Sequence, residues 1–278
     1  MKNIGTKLAA VAFTLLAASS PALAGKGGSA ARIQAAVTSG SVDAIIAEVE
    51  RAESLMCEQC VGIVTNLLED SRYEVREVAG WWFAKRPGLK NALAAQFVAE
   101  LENGNTTAVR NAADFLGATV SYKALPALRA AIRRTDIGAE GKLALVRAAK
   151  MLAHRDGNPV LMTAMTDADP SVRAAAVNAW RDILGQKDAA PAVSLLNDAD
   201  AHVRAEAATV VGAMGGTAGV ATLEQLVVKD PDPFVRRNAA WALGKIGSSS
   251  SKAALTTAST DKSGVVRGVA RAALASIK

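Results

Sequence analysis

Cysteine, histidine and aromatic residues are all scarce in this chain, and each scarcity excludes a class of chemistry. Two cysteines among 278 residues cannot by themselves furnish a four-ligand zinc site. The histidines, His154 and His202, stand apart in HRD and HVR, and no metal or other cofactor is implied. Aromatics make up 4% of the chain, which together with abundant alanine argues for closely approaching helices and against a β-sandwich. Charges of both signs are spread evenly, with no Lys/Arg block that would mark a nucleic-acid or anionic-lipid surface. After the N-terminus no stretch approaches the ~20 apolar residues of a membrane span. GAMGGTAG (212–219) is rich in glycine, yet it fits neither a dinucleotide fingerprint nor a phosphate loop and reads as a turn.

The longest apolar run opens the chain. Lys2 and Lys7 bracket the start of LAAVAFTLLAAS (8–19), and Ala22-Leu23-Ala24 supplies the small residues a signal peptidase reads. A run of about a dozen residues is too short to cross a bilayer. No twin arginine and no cysteine at the cut point to folded export or lipid anchoring. Residues 1–24 are thus expected to be a signal peptide cleaved between Ala24 and Gly25, with 25–28 a flexible mature N-terminus. The protein should be exported, to the periplasm or beyond. Without Lys2 and Lys7 the chain holds 30 basic and 26 acidic residues, a mild balance.

What the chain has in plenty is one repeated phrase. DADPSVRAAAVNAW (167–180), DADAHVRAEAATVVG (198–212), DPDPFVRRNAAWALG (230–244) and DKSGVVRGVARAALA (261–275) align on Arg173, Arg204, Arg236 and Arg267, which are 31, 32 and 31 residues apart. DSRYEVREVAGWWFA (70–84) fits through Arg76, and weaker copies surround Arg110 and Arg147 with spacings drifting to 34, 37 and 26. A sustained period near 31 residues signals a helical solenoid.

The physics of one unit is legible. Asp169, Asp200 and Asp232 precede each arginine by four residues, where a carboxylate caps the first free N–H groups of a helix. Pro170 and Pro233 follow at the first helical position. Val235, Ala239, Ala240 and Leu243 then form one apolar stripe, and Gly244 or Gly247 lets the chain leave the helix. A second amphipathic helix precedes each, as in YKALPALRAAIRR (122–134) and AGVATLEQLVVKD (218–230). Neither helix buries its stripe alone, so pairs must stack. Another aspartate stands six residues before the arginine in five copies. Asp70 with Arg76, Asp167 with Arg173, Asp198 with Arg204, Asp230 with Arg236 and Asp261 with Arg267 thus suggest a ladder of charge-assisted bonds tying helix starts to adjacent units. The alternative is ordinary surface ion pairs worth ~0–1 kcal/mol each.

This phrase resembles the HEAT-repeat family, in particular the short HEAT-like repeats named after phycobilisome lyase subunits. The D-x-D-P-x-V-R-x-x-A-A-x-A-L-G run at 230–244 and its copies carry the resemblance, over about Val61 to Lys278. It implies an all-α, right-handed α-α superhelix that serves mostly as a protein-binding scaffold. Some HEAT-like enzymes are di-iron hydroxylases built on His-Glu pairs, and this chain has no such pair. About seven helix pairs are expected in 55–278, preceded by a capping pair of helices in 29–54.

Two features could carry function beyond scaffolding. Cys57-Glu-Gln-Cys60 would meet an oxidising compartment, where it could form a local disulfide at a helix start, remain a buried pair, or act as a redox dithiol. The helical surroundings, SLMCEQCVGIVTNLL, lack the βαβ setting of a thioredoxin. Trp81 and Trp241 share the fifth position after the arginine, nearly opposite the apolar stripe, and exposed tryptophans there would anchor a partner. Covering by a neighbouring helix is the competing reading. Trp180 falls in the core slot, and Trp82 and Phe83 should point inward or to the flank. The leading expectation is an exported, non-catalytic scaffold holding another protein; the alternative is a redox or enzyme-accessory protein working through Cys57 and Cys60.

Overall fold

A computed structural model describes residues 29–55 and 58–277. The expected signal peptide, its cleavage site at Ala24 and Gly25, and Cys57 lie outside the described residues. Among those described there are sixteen α-helices and no strand. The chain divides into two compact units, Met1–Leu152 and Ala153–Lys278.

The described part of the first unit is four helix pairs: α1 (Ala30–Ser39) with α2 (Val42–Arg51), α3 (Glu58–Leu67) with α4 (Tyr73–Ala84), α5 (Pro87–Asn103) with α6 (Thr106–Ala118), and α7 (Leu125–Ala131) with α8 (Gly138–Leu152). Ser29 and Ser41 cap α1 and α2 by accepting backbone N–H groups of Arg32 and Ala44. Pro87 opens α5 at a position where its missing N–H costs nothing. Every residue of α6 from Ala108 to Gly117 is buried, because α4 and α8 close over it from both sides. Small residues allow that approach: a Cβ on Gly80 would lie 2.6 Å from Ala118 Cβ, and one on Gly117 would lie 3.0 Å from Ala148 Cα. The few aromatics pack here, Trp82 edge-on to Phe83, Phe83 to Phe115, and Phe115 stacked on Phe97 at 4.5 Å.

The second unit repeats the same hairpin: α9 (Asn158–Ala164) with α10 (Pro170–Trp180), α11 (Ala190–Ser194) with α12 (Ala201–Ala213), α13 (Val220–Lys229) with α14 (Pro233–Ile246), and α15 (Lys252–Ala258) with α16 (Gly264–Ser276). The caps fall as the sequence predicts. Asp169, Asp200 and Asp232 each accept a backbone N–H two residues on, and Pro170 and Pro233 begin their helices. Val235, Ala239, Ala240 and Leu243 are fully buried. Gly247 takes φ +73° and ends α14, whereas Gly244 lies inside that helix, where a Cβ would sit 2.7 Å from Ala273 Cβ on α16. Gly244 therefore permits close packing, and Gly247 alone makes the exit. YKALPALRAAIRR proves shorter than its pattern, an opening 3-10 turn at Tyr122–Ala124 followed by the two-turn α7.

Candidate binding surface and its supporting ladder

In the second unit the in-phase arginines and aspartates meet. Arg173 sets Nε and Nη2 on the Asp198 carboxylate at 2.8 and 2.7 Å. Arg204 does the same to Asp230 at 2.8 and 3.0 Å, and Arg236 to Asp261 at 2.7 and 2.9 Å. The third nitrogen turns back into the arginine's own unit. Nη1 of Arg173, Arg204, Arg236 and Arg267 donates to the carbonyls of Asp167, Asp198, Asp230 and Asp261 respectively. Each aspartate is held by its own turn, its Oδ1 accepting the N–H two residues on, from Asp169, Asp200, Asp232 or Ser263. One aspartate thus grips its own arginine by the backbone and the preceding arginine by the carboxylate. The forked arginine beside each holds the Asp198 and Asp261 carboxyls below the usual carboxylate range. At 3% exposure for the side chains of Asp230 and Arg236, these pairs leave the class of surface bridges.

The first unit departs from that register. Arg76 keeps the backbone half, donating to Asp70 O and Ser71 O at 2.7 and 2.8 Å, but its fork binds Asp114 on α6 at 3.0 and 2.8 Å. Asp114 also takes Arg147 of α8 at 3.1 and 2.8 Å, so one carboxylate, 1% exposed, joins the second helices of three successive pairs, α4, α6 and α8. Asp70 is held instead by Arg72, whose paired bonds keep its carboxyl below the usual range. Arg110, a weak copy in sequence, reaches Glu140 and Asn111. Tyr73 lies under Arg147, its ring centroid 4.6 Å from the guanidinium carbon, and burial raises the pKa of its hydroxyl, which donates to Glu77. Asp114 escaped sequence reasoning because no other copy has a carboxylate there.

Arg86 is another residue the repeat frame could not flag. It stacks 3.3 Å over the Trp82 ring and donates to the carbonyls of Trp82, Glu53 and Leu55. Burial lowers its pKa to about 10. Trp82 Nε1 adds a bond to Ala52 O at 2.9 Å, so the pair staples the segment between α2 and α3. Cys60 is fully buried on α3; with Cys57 outside the described residues, their pairing stays an expectation.

Trp81 and Trp241 are half-buried, unlike Trp82 and Trp180, which are 0% and 2% exposed. Each carries a lysine one turn on: Lys85 Nζ lies 5.3 Å from the Trp81 ring and Lys245 Nζ 5.7 Å from that of Trp241. On α14 the stripe continues in both directions. Phe234 is 62% exposed, with the Arg237 guanidinium 5.5 Å from its ring, so Phe234, Arg237, Trp241 and Lys245 alternate aromatic and cation along one face. The second helix of the next pair, α16, presents Val265 at the same repeat position as Phe234, 61% exposed. A second set of inter-repeat bonds joins these helices: Asn178 of α10 donates to Glu206 of α12 at 2.6 Å, and Asn238 of α14 to Thr209 of α12 at 3.1 Å.

Among the described residues no group of three or more metal-ligating side chains occurs, and no helix is long and apolar enough to cross a membrane.

In the second unit, helix hairpins joined in register by buried arginine–aspartate forks define a repeat scaffold whose side chains stand in rows. HEAT repeats are matched over residues 189–275 and a further HEAT repeat over 158–186, so the second unit carries HEAT repeats, of a kind that commonly mediates protein binding. No curated protein matches it. Among solved structures, YIBA_ECOLI from E. coli is 15% identical, with a TM-score of 0.55 covering 87% of this chain and 91% of that one. An engineered protein, target OR497, is 20% identical, with a TM-score of 0.52 over 98% of this chain and 84% of its own. These likenesses establish the fold, an all-α superhelix. Human deoxyhypusine hydroxylase is 19% identical over 98% of this chain and 96% of its own, with a TM-score of 0.40, too loose a match to transfer any activity.

Proposed function

We propose that the protein is an exported, non-catalytic scaffold that holds another protein through the α14–α16 face of its second unit. The alternating stripe of Phe234, Arg237, Trp241 and Lys245 supports this reading most directly. Large amphipathic rings set in place by a rigid helix act as anchors at low entropic cost, and the stacked cations favour a partner with carboxylates between its apolar residues. Val265 extends the apolar surface onto the neighbouring helix. A photo-crosslinking side chain at Phe234 or at Val265 should yield the same protein adduct in the native cell envelope. Trp241→Ala should abolish both adducts, and the same crosslinker at Lys252 should give neither. Adducts of equal yield and identity at all three positions would sink the proposal.

Export and the state of the cysteines belong to the same reading. The mature chain is taken to begin at Gly25, and Cys57 and Cys60 to form a structural disulfide. N-terminal sequencing of protein purified from the envelope fraction tests the first. Thiol alkylation before and after reduction tests the second, two added alkyl groups after reduction alone being the expected result.

A further inference from the structure

We propose that the first unit binds a free single-chain amphiphile with a carboxylate head, in an open groove of about 750 Å³ between α5 and the segment leading into α7. The volume lies within the range of small-molecule sites. The site is separate from the α14–α16 face and does not depend on it.

On the α5 wall the lining is sorted by polarity along the helix. Lys90 and Asn91 come from the first turn of α5, and Ser121, Tyr122 and Lys123 from the turn after α6. Because α5 and α6 run antiparallel, the start of α5 and the end of α6 fall at the same end of the groove. Two ammonium groups and three neutral polar side chains therefore gather there, and among the described residues no carboxylate pairs with either lysine. Beyond them along α5 the wall is apolar, with Ala94, Ala95 and Val98, while Leu116, Val120 and Ala124 add apolar surface from the end of α6 and its turn. From Lys90 to Val98 the helix rises roughly 12 Å, the length of a medium alkyl chain. The acidic residues of α5, Glu100 and Glu102, sit at its other end. An anionic head is drawn to one end only, and a hydrocarbon tail lies along the rest.

Val120 gives an independent reason. It sits at the exit of α6 with φ +50°, where its N–H bonds Gly117 O and the N–H of Ser121 bonds Leu116 O, both at 2.9 Å. The same exit from α12 is made by Gly215 at φ +67°, with matching bonds from Gly215 to Gly212 O and Gly216 to Val211 O. Glycine is the default in this left-handed conformation, and a β-branched residue is strained there. The strain keeps in place an isopropyl group that is 46% exposed on the groove wall, beside Tyr122 at 49%. Retained strain of this kind marks sites where the side chain itself is needed.

Sodium dodecanoate, titrated calorimetrically into the purified protein below its micellar concentration, should show one saturable site. Replacing both lysines, Lys90→Glu with Lys123→Glu, should weaken dodecanoate by at least about tenfold, since charge-assisted bonds to the head are lost. The same double change should leave the weaker binding of 1-dodecanol unaltered. Ala95→Phe should block both ligands by filling the trough, with helicity by circular dichroism unchanged. Val120→Gly should raise the melting temperature yet weaken both ligands, which keeps the test decisive if Ala95→Phe misfolds. The proposal is overturned by an absence of dodecanoate binding, or by binding that survives the double lysine change. Binding confined to anionic vesicles or to an acidic amphipathic peptide overturns it equally.

Discussion

Removing Arg204 is the sharpest test of how the second unit holds together. Arg204→Ala deletes two bonds to Asp230 and two to the carbonyls of Asp198 and Ala199. It also strands the Asp230 carboxylate, whose side chain is 3% exposed. Breaking a buried pair by removing one partner costs ~3–5 kcal/mol. The Arg204 side chain is 13% exposed, so water reaches its outer edge and recovers part of that loss. A cost of roughly 2–3 kcal/mol remains. For a unit of this size each kcal/mol moves the midpoint by ~3–4 °C, which gives a fall of about 6–12 °C. Thermal melts followed by circular dichroism should show this against Lys252→Ala, an exposed lysine of the same unit. Arg204→Lys keeps the charge but loses the fork and should fall between the two. The double change Arg204→Ala with Asp230→Ala should be milder than the two single costs combined, since no charge is left unpaired. If Arg204→Ala melts within ~1–2 °C of the Lys252→Ala control, the ladder contributes no more than surface pairs do.

The ladder should also have an acid limit. Asp198 and Asp261 carry lowered pKa values because of their arginines, so their contribution is complete above the ordinary carboxylate value of ~4 and is lost as pH falls through the lowered folded values. The gap in melting temperature between wild type and Arg173→Ala should therefore close on acidification; a gap that widens would reverse the linkage. In the first unit, Asp114→Ala leaves the Arg76 guanidinium, 4% exposed, without its carboxylate, and should cost ~3–5 kcal/mol in denaturant titration. Arg147→Ala should cost less, its side chain being 35% exposed; equal costs would refute this ranking. Gly212→Ala would place a Cβ 2.5 Å from Ala242 Cα, forcing α12 and α14 apart at roughly 1–3 kcal/mol. Gly268→Ala on α16 meets nothing within 4 Å and should stabilise by ~0.5–1 kcal/mol. Opposite signs in calorimetric melts are expected, and destabilisation by both would contradict the packing.

Much of the second unit was readable from composition and phase. The aspartate caps, the proline starts, the buried valine–alanine–leucine stripe and the period near 31 residues are local or strictly periodic, and local backbone chemistry decides them. The exact partner of each arginine was not readable. Sequence places Asp198 with Arg204, whereas space divides the work, giving Arg204 the backbone carbonyl of Asp198 and Arg173 its carboxylate. The direction of a guanidinium fork depends on how far the next helix is displaced, which no one-dimensional spacing encodes.

The first unit shows where such reading ends. Its spacings drift, and there the register gives way to the Asp114 junction and to the stacking of Arg86 on Trp82. The helical wheel puts Trp81 and Trp241 nearly opposite the apolar stripe, and their half-burial follows from neighbours the wheel does not contain. Sequence alone determined that this protein is a series of helix hairpins with capped starts, because each hairpin is specified within some 31 residues and cannot bury its stripe alone. Tertiary structure alone decided which charges meet and where a groove opens, because both depend on the offset between one hairpin and the next.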